Sequence, residues 1–213
     1  MNIYKTKMNT IIMKNAILIA LLFTTSLIYA QDKSNSKNAE NAATYSVDAM
    51  HSSLVFAVGY KLSEFHGSFG EIAGKAVLAN EKDFSTAEVE FTVQIASINT
   101  NSEARDGHLQ GERYFNAEKA ATATFKSTYI KPTGHNTYEM TGDLTIGGVT
   151  LSQTVQVEVK GQAELAAKDG STSSVMGVKA TFAFNRSNFG IKGGLPTIAD
   201  KVDITAALTL IKE

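Results

Sequence analysis

The chain has 213 residues, with no cysteine, no tryptophan and two prolines, and its 20 basic and 21 acidic side chains give a formal net charge of -1. That length suits one ordinary domain with a real core, and near-neutral charge argues against a nucleic-acid partner, which calls for a basic stripe. Without cysteine there is no disulfide scaffold, thiol nucleophile, c-type haem attachment or thiolate metal site, and the composition argues against collagen-like, coiled-coil and multi-pass membrane chains.

Lys5, Lys7 and Lys14 precede an apolar run from Ala16 to Ile28, which ends at Ile28-Tyr29-Ala30 before polar sequence. Positive, apolar, small-residue order is that of a secretory signal peptide, here residues 1–30. Thr24, Thr25 and Ser26 interrupt the run, which is short for a membrane span. Cleavage after Ala30 would remove three lysines and no acid, leaving 17 basic and 21 acidic side chains. The expected product is a mildly acidic soluble protein of the periplasm or cell exterior. Residues 31–43 (QDKSNSKNAENAA) carry nothing apolar larger than alanine and read as a flexible polar leader to a domain spanning 44–213.

From Thr44 onward the pattern has period two. Leu54, Phe56 and Val58 share one face; so do Val89, Phe91, Val93 and Ile95. The same alternation runs through Val155–Val159, Val178–Phe184 and Val202–Leu210. Weaker strands are expected over Gly70–Ala79, Thr122–Ile130 and Thr137–Ile146, for eight in all. One apolar and one wet face marks antiparallel sheet, and no long helical period separates the strands, which argues against a βαβ fold. The one expected helix, polar and short, lies between Ser102 and Phe115. Loops are expected at Lys168–Ser171 and Gly193–Pro196. Periodicity alone admits two packed sheets or one closed barrel. Gly67, Gly70 and Gly74 read as turning points or relief of strand curvature, with close approach to a ligand as the other reading.

Catalytic motifs are missing. His51, His66, His108 and His135 share no HxH, HxxxH or HExxH spacing, and there is no GxSxG. Two polar clusters stand out. In Arg105-Asp106-Gly107-His108 a helical turn would put Arg105 and His108 on one face, either as a salt-bridged plug or as cations for a ligand head group. Arg186 follows the apolar face of Phe182 and Phe184, where an arginine needs a partner. Asp200 and Asp106 are the expected candidates, and ligand anchoring is the competing role.

The ordered set Tyr45-x-Val47-Asp48-x-x-His51-Ser52-x-x-x-Phe56, Gly67-x-Phe69, Ser97-Ile98-Asn99-Thr100, Arg105-Asp106-Gly107-His108-Leu109, Tyr114-Phe115, Thr124-Phe125-Lys126-Ser127, Gly142–Thr150 and Asn185-Arg186-Ser187-x-Phe189-Gly190 resembles the YceI-like family of periplasmic lipid- or polyisoprenoid-binding proteins. The likeness runs from Thr44 to about Leu210. It implies an all-β fold, an extended eight-stranded antiparallel lipocalin-like barrel with a short connecting helix. It also implies a non-catalytic role in binding, sequestering or transporting a long-chain isoprenoid such as a quinone or polyprenyl phosphate, and a homodimer with transient membrane proximity. No cofactor, metal or nucleic acid is implied. Two departures stand out: Tyr60 where the family has a histidine after the first strand, and Ala120-Ala121 where it has a proline. The expected lining is Phe56, Val58, Phe91, Val93, Phe125, Phe182, Phe184 and Leu208, with Tyr60, Arg105, His108 and Arg186 as polar groups near the mouth.

Overall fold

The computed structural model describes residues 42–166 and 170–213. The expected signal peptide, most of the expected leader, and Lys168 and Asp169 of the first expected loop lie outside the described residues.

Eleven strand segments follow one another: β1 (Ala43–Val47), β2 (Ser53–Tyr60), β3 (Ser63–Phe69), β4 (Ile72–Leu78), β5 (Ala87–Gln94), β6 (Ile98–Asn99), β7 (Thr122–Gly134), β8 (Thr137–Ile146), β9 (Val149–Ala166), β10 (Thr172–Asn185) and β11 (Ile198–Lys212). Among the described residues one α-helix, α1 (Glu103–Gln110), interrupts them between β6 and β7. All pairings are antiparallel, in the order β1-β4-β5-β7-β8-β9-β10-β11, and β1 returns to pair with β11 and close the ring.

The remaining three segments extend members of that ring. β1 and β2 lie end to end along one edge of β11, pairing with Leu210–Lys212 and with Ile198–Ala207. β4 continues β3, because β1 pairs with β4 and β2 with β3. β5 and β6 do the same beside β4 and β3. The barrel therefore has eight strands, three of them broken.

Each break has a local cause. Asp48 caps a single 3-10 turn at Ala49–His51, its carboxylate accepting from Met50 N–H and meeting His51 Nδ1 at 2.6 Å. The second break falls at Gly70-Glu71, where Gly70 N–H donates to the Ser97 carbonyl. The third is a 3-10 turn at Ile95–Ser97. At α1, the Ser102 hydroxyl accepts from Arg105 N–H and Gly111 ends the helix, within the expected stretch.

The two halves of the interior differ. Around β1, β4 and the lower parts of β7–β11 the barrel is filled: Tyr45 and Leu78 are fully buried, and Met176 and Phe84 nearly so. The other half, under α1 and the loop that follows β10, is lined by Phe56, Val58, Phe69, Val93, Val202 and Ile204 and is left partly empty. The β9–β10 ladder stops short on this side. It runs from Thr172↔Ala166 to Thr181↔Gln156, while β10 stays paired with β11 as far as Asn185↔Lys201.

Candidate functional site

The empty half of the barrel is a cavity of about 190 Å³. Side chains from β2, β3, β5, β7, β8, β9, β10 and β11 form its wall, while Leu109 of α1 together with Tyr114, Phe115 and Ile191 roofs it. Thr124, Tyr114 and Arg186 are the polar side chains on this wall; the others are aliphatic or aromatic. One water needs only about 10–15 Å³ but also two to four polar partners, so a wall like this favours an apolar occupant.

Three glycines make room for the lumen. Gly67 pairs with Phe56, Gly74 with Phe91, and Gly142 with Ser127, two residues along from Phe125. A Cβ added at Gly67 would stand 2.3 Å from Phe56 Cζ, one at Gly74 would stand 2.9 Å from Phe91 Cδ2, and one at Gly142 would stand 2.4 Å from Phe125 Cζ. Each ring lies over a glycine of the neighbouring strand. This is close packing by side chains of the barrel itself, a reading beside the turning and ligand-approach roles expected from the sequence.

The structure places Phe56, Val58, Phe91, Val93, Phe125, Phe182, Phe184 and Leu208 on the cavity wall, and Arg186 at its roof. Phe65, Phe69, Leu144 and Ile146 join them, although sequence reasoning did not single them out as lining. The signal for the first two was present: Phe65, Gly67 and Phe69 alternate, but Ser63, Glu64, His66 and Ser68 make the run polar on average.

Tyr60, Arg105 and His108 are not part of the wall. Tyr60 is 41% exposed at the β2–β3 hairpin, with Lys61 Nζ 5.8 Å from its ring centroid. His108 lies on the exposed face of α1. Arg105 turns toward Thr100: its Nε–H donates to Thr100 Oγ1 at 2.7 Å and its Nη2 to the Thr100 carbonyl at 2.5 Å. The guanidinium also sits 5.1 Å from the centroid of Phe65. Asp106 accepts from Thr100 N–H at 2.9 Å and from its hydroxyl. Arg105 and Asp106 thus clamp α1 onto the end of β6 through a buried threonine.

The expected partners of Arg186 require correction. The guanidinium donates to four backbone carbonyls: Ala199 at 2.8 Å, Ile191 at 3.2 Å, Gly193 at 2.8 Å and Ile198 at 3.0 Å. Asp106 is engaged with Thr100. Asp200 accepts from Ser187 N–H at 2.8 Å and from the Ser187 hydroxyl at 2.7 Å, and acts on Arg186 only through its charge. A planar donor fork can satisfy several carbonyls of a turning loop at once, which one carboxylate could not do for the loop. Burial pulls the Arg186 guanidinium below its usual pKa, with Asp200 and Tyr114 opposing, while the Ser187 hydroxyl bond holds Asp200 below the usual carboxylate range.

Residues 45–210 match the sequence profile of the YceI-like domain. The chain belongs to the YceI-like family. A UPF0312 protein from Photorhabdus laumondii is 31% identical over 177 residues, covering 81% of this chain and 88% of that one. A UPF0312 protein from Staphylococcus aureus strain N315 is 36% identical over 148 residues, or 69% of this chain and 81% of its own. Among solved structures, the Campylobacter jejuni YceI protein superposes with a TM-score of 0.64 at 25% identity, covering 73% of this chain and 89% of that one. A polyisoprenoid binding domain from Saccharophagus degradans, implicated in plant cell wall breakdown, shares the fold with a TM-score of 0.61 at 16% identity, over 79% of this chain and 98% of its own.

Proposed function

We propose that this YceI-like barrel binds one long-chain isoprenoid, a quinone or polyprenyl phosphate, and sequesters or carries it outside the cytoplasm without transforming it. The observation that carries this reading is the cavity: a lumen whose wall is apolar except for Thr124, Tyr114 and Arg186. Each methylene moved from water into such a wall contributes roughly 0.8 kcal/mol, before the cost of ordering the chain. The shared fold of the polyisoprenoid binding domain from Saccharophagus degradans supports the same ligand class.

An oxygen-rich head group would lie at the roof. Arg186 and Tyr114 are polar residues of the lining there; four of Arg186's five N–H groups go to carbonyls, so a ligand oxygen would draw on the one that remains. Export follows from the order Lys14, Ala16–Ile28, Ala30, and a homodimer with transient membrane contact completes the reading. The test is gentle purification from the producing cell, followed by lipid extraction and mass spectrometry. Recovery of about one isoprenoid lipid per chain supports the reading. A protein that emerges empty, and stays empty when offered long-chain quinones and polyprenyl phosphates, points instead to a structural or stress-associated module.

A further inference from the structure

If the barrel holds an isoprenoid, the chain must reach a cavity that has packed side chains below it and α1 with the loop after β10 above it. Below, Tyr45, Leu78 and Met176 fill the lumen. Above, Leu109, Tyr114 and Phe115 roof it, α1 is fastened through Thr100, and the loop after β10 is fastened by the four carbonyl bonds of Arg186. Stretches of the wall that lack strand pairing include Ser63–Gly67 of β3, where Arg105 of α1 lies against Phe65, Ala87–Val89 of β5 on the side toward β7, and the end of the β9–β10 seam beside the cavity. Past Thr181↔Gln156, residues Phe182–Asn185 of β10 pair only with β11, and Val149–Val155 of β9 pair only with β8. At about 3.3 Å per residue this seam is about 13 Å long on the β10 side.

Apolar side chains border the seam from both sides. Leu151 and Val149 share a strand face with buried Val155, yet are 37% and 36% exposed, while their cross-strand partners Leu144 and Ile146 are buried. On the other lip Phe182 and Phe184 line the cavity and are only half-buried. Phe189, at the end of the turn Arg186–Phe189, meets Phe184 edge-on at 5.3 Å and clusters with Leu144 and Ile146 of β8, so its ring links the two sides at one end of the seam. An unpaired strand edge is normally a liability that a fold covers or blunts.

We propose that this unzipped stretch of the β9–β10 seam is the side door through which the apolar chain enters and leaves the barrel. The proposal rests on the ligand reading above. Pinning the two edges together would then slow exchange without changing what the cavity holds.

The chain has no cysteine, so an engineered pair is unique. Thr154→Cys with Ala183→Cys places one thiol on the outer face of each edge. A short bis-maleimide with a cleavable disulfide spacer joins them, and a dansyl-labelled farnesol reports uptake and release by stopped flow. A control pair, Gln110→Cys with Ala96→Cys, pins α1 where the Gln110 side chain already meets the Ala96 carbonyl.

With the seam pinned, both rates should fall about tenfold or more at unchanged equilibrium occupancy, and recover when the spacer is cut, while the α1-pinned protein exchanges at the wild-type rate. Unchanged rates across the pinned seam, or slowing only when α1 is pinned, would overturn the side door and leave the ligand reading intact. Failure of the unmodified protein to take up the probe would overturn both.

Discussion

The ring of Phe56 lies over Gly67, its partner on β3, so closely that a Cβ at Gly67 would stand 2.3 Å from Phe56 Cζ and 2.9 Å from Thr100 Cγ2. The neighbours are side chains, so Gly67→Ala displaces a ring without parting strands. Phe56 lines the lumen, so the ring can shift into it. We expect Gly67→Ala to cost about 1–3 kcal/mol of stability and to weaken isoprenoid binding about tenfold. Denaturant titration and probe binding on the same sample check both. At Gly142 the added Cβ would also meet the Lys126 carbonyl at 2.4 Å, so Gly142→Ala should destabilise more than Gly67→Ala in that titration.

Arg186→Gln should lower the unfolding free energy by about 2–4 kcal/mol, because it leaves buried carbonyls of the loop at residues 191–199 without donors. Arg186→Lys keeps the charge but not the fork, and should recover less than half of that loss. Equilibrium denaturation distinguishes them. A melting curve that hardly moves while binding collapses would make Arg186 a head-group anchor alone.

Arg105→Gln should cost about 1–2 kcal/mol through Thr100 and Phe65, and leave isoprenoid affinity within about twofold, because Arg105 clamps α1 and does not reach the wall. His108→Ala, on the exposed helix face, should stay within about 0.5 kcal/mol of wild type. A large affinity loss in either variant, with folding intact, would restore both cations to the cavity mouth.

The barrel and most of its wall were legible because alternation survives wherever one face is buried: Phe91-x-Val93, Phe182-x-Phe184 and Val202-x-Ile204 announce their inward sides. Breaks within strands were not. Asp48 bends the chain between β1 and β2 by capping a single turn, a local hydrogen bond that leaves no periodic trace. β6 is two residues long and has no period to detect. The polar groups failed for another reason. Charge placed beside an apolar strand end does not say whether its partner is a carboxylate, a carbonyl or a ligand. Arg186 chose backbone carbonyls and Arg105 a threonine, and only the chain path decides that.

The closed end carries its own pH signature. Tyr45 donates to Glu81 at 2.7 Å, and Lys212 Nζ reaches both Glu81 oxygens at 2.8 Å. Lys212 first, and Tyr45 second, hold Glu81 below its usual carboxylate value, so its stabilising contribution is present above about pH 4.5 and is lost as pH falls through the lower folded value. Burial, aided by Glu81, pushes the Tyr45 phenol up to about 12, so its contribution is present below pH 10 and is lost as pH rises from 10 toward 12. Denaturation midpoints across pH should therefore fall at both extremes, and Tyr45→Phe should abolish the share of the alkaline loss due to Tyr45. An identical alkaline slope in Tyr45→Phe would contradict the assignment.

The most direct test of an isoprenoid inside the barrel uses another gap in the composition. The chain has no tryptophan, so Phe184→Trp and Phe91→Trp each place one reporter on the cavity wall. A quinone ring quenches tryptophan emission on contact, and titration with a long-chain quinone should quench both reporters along a saturating curve that ends near one quinone per chain. Polyprenyl phosphate added afterwards should restore the emission. Quenching that rises linearly without saturation, equally at both positions and unaffected by polyprenyl phosphate, would show that the quinone never enters.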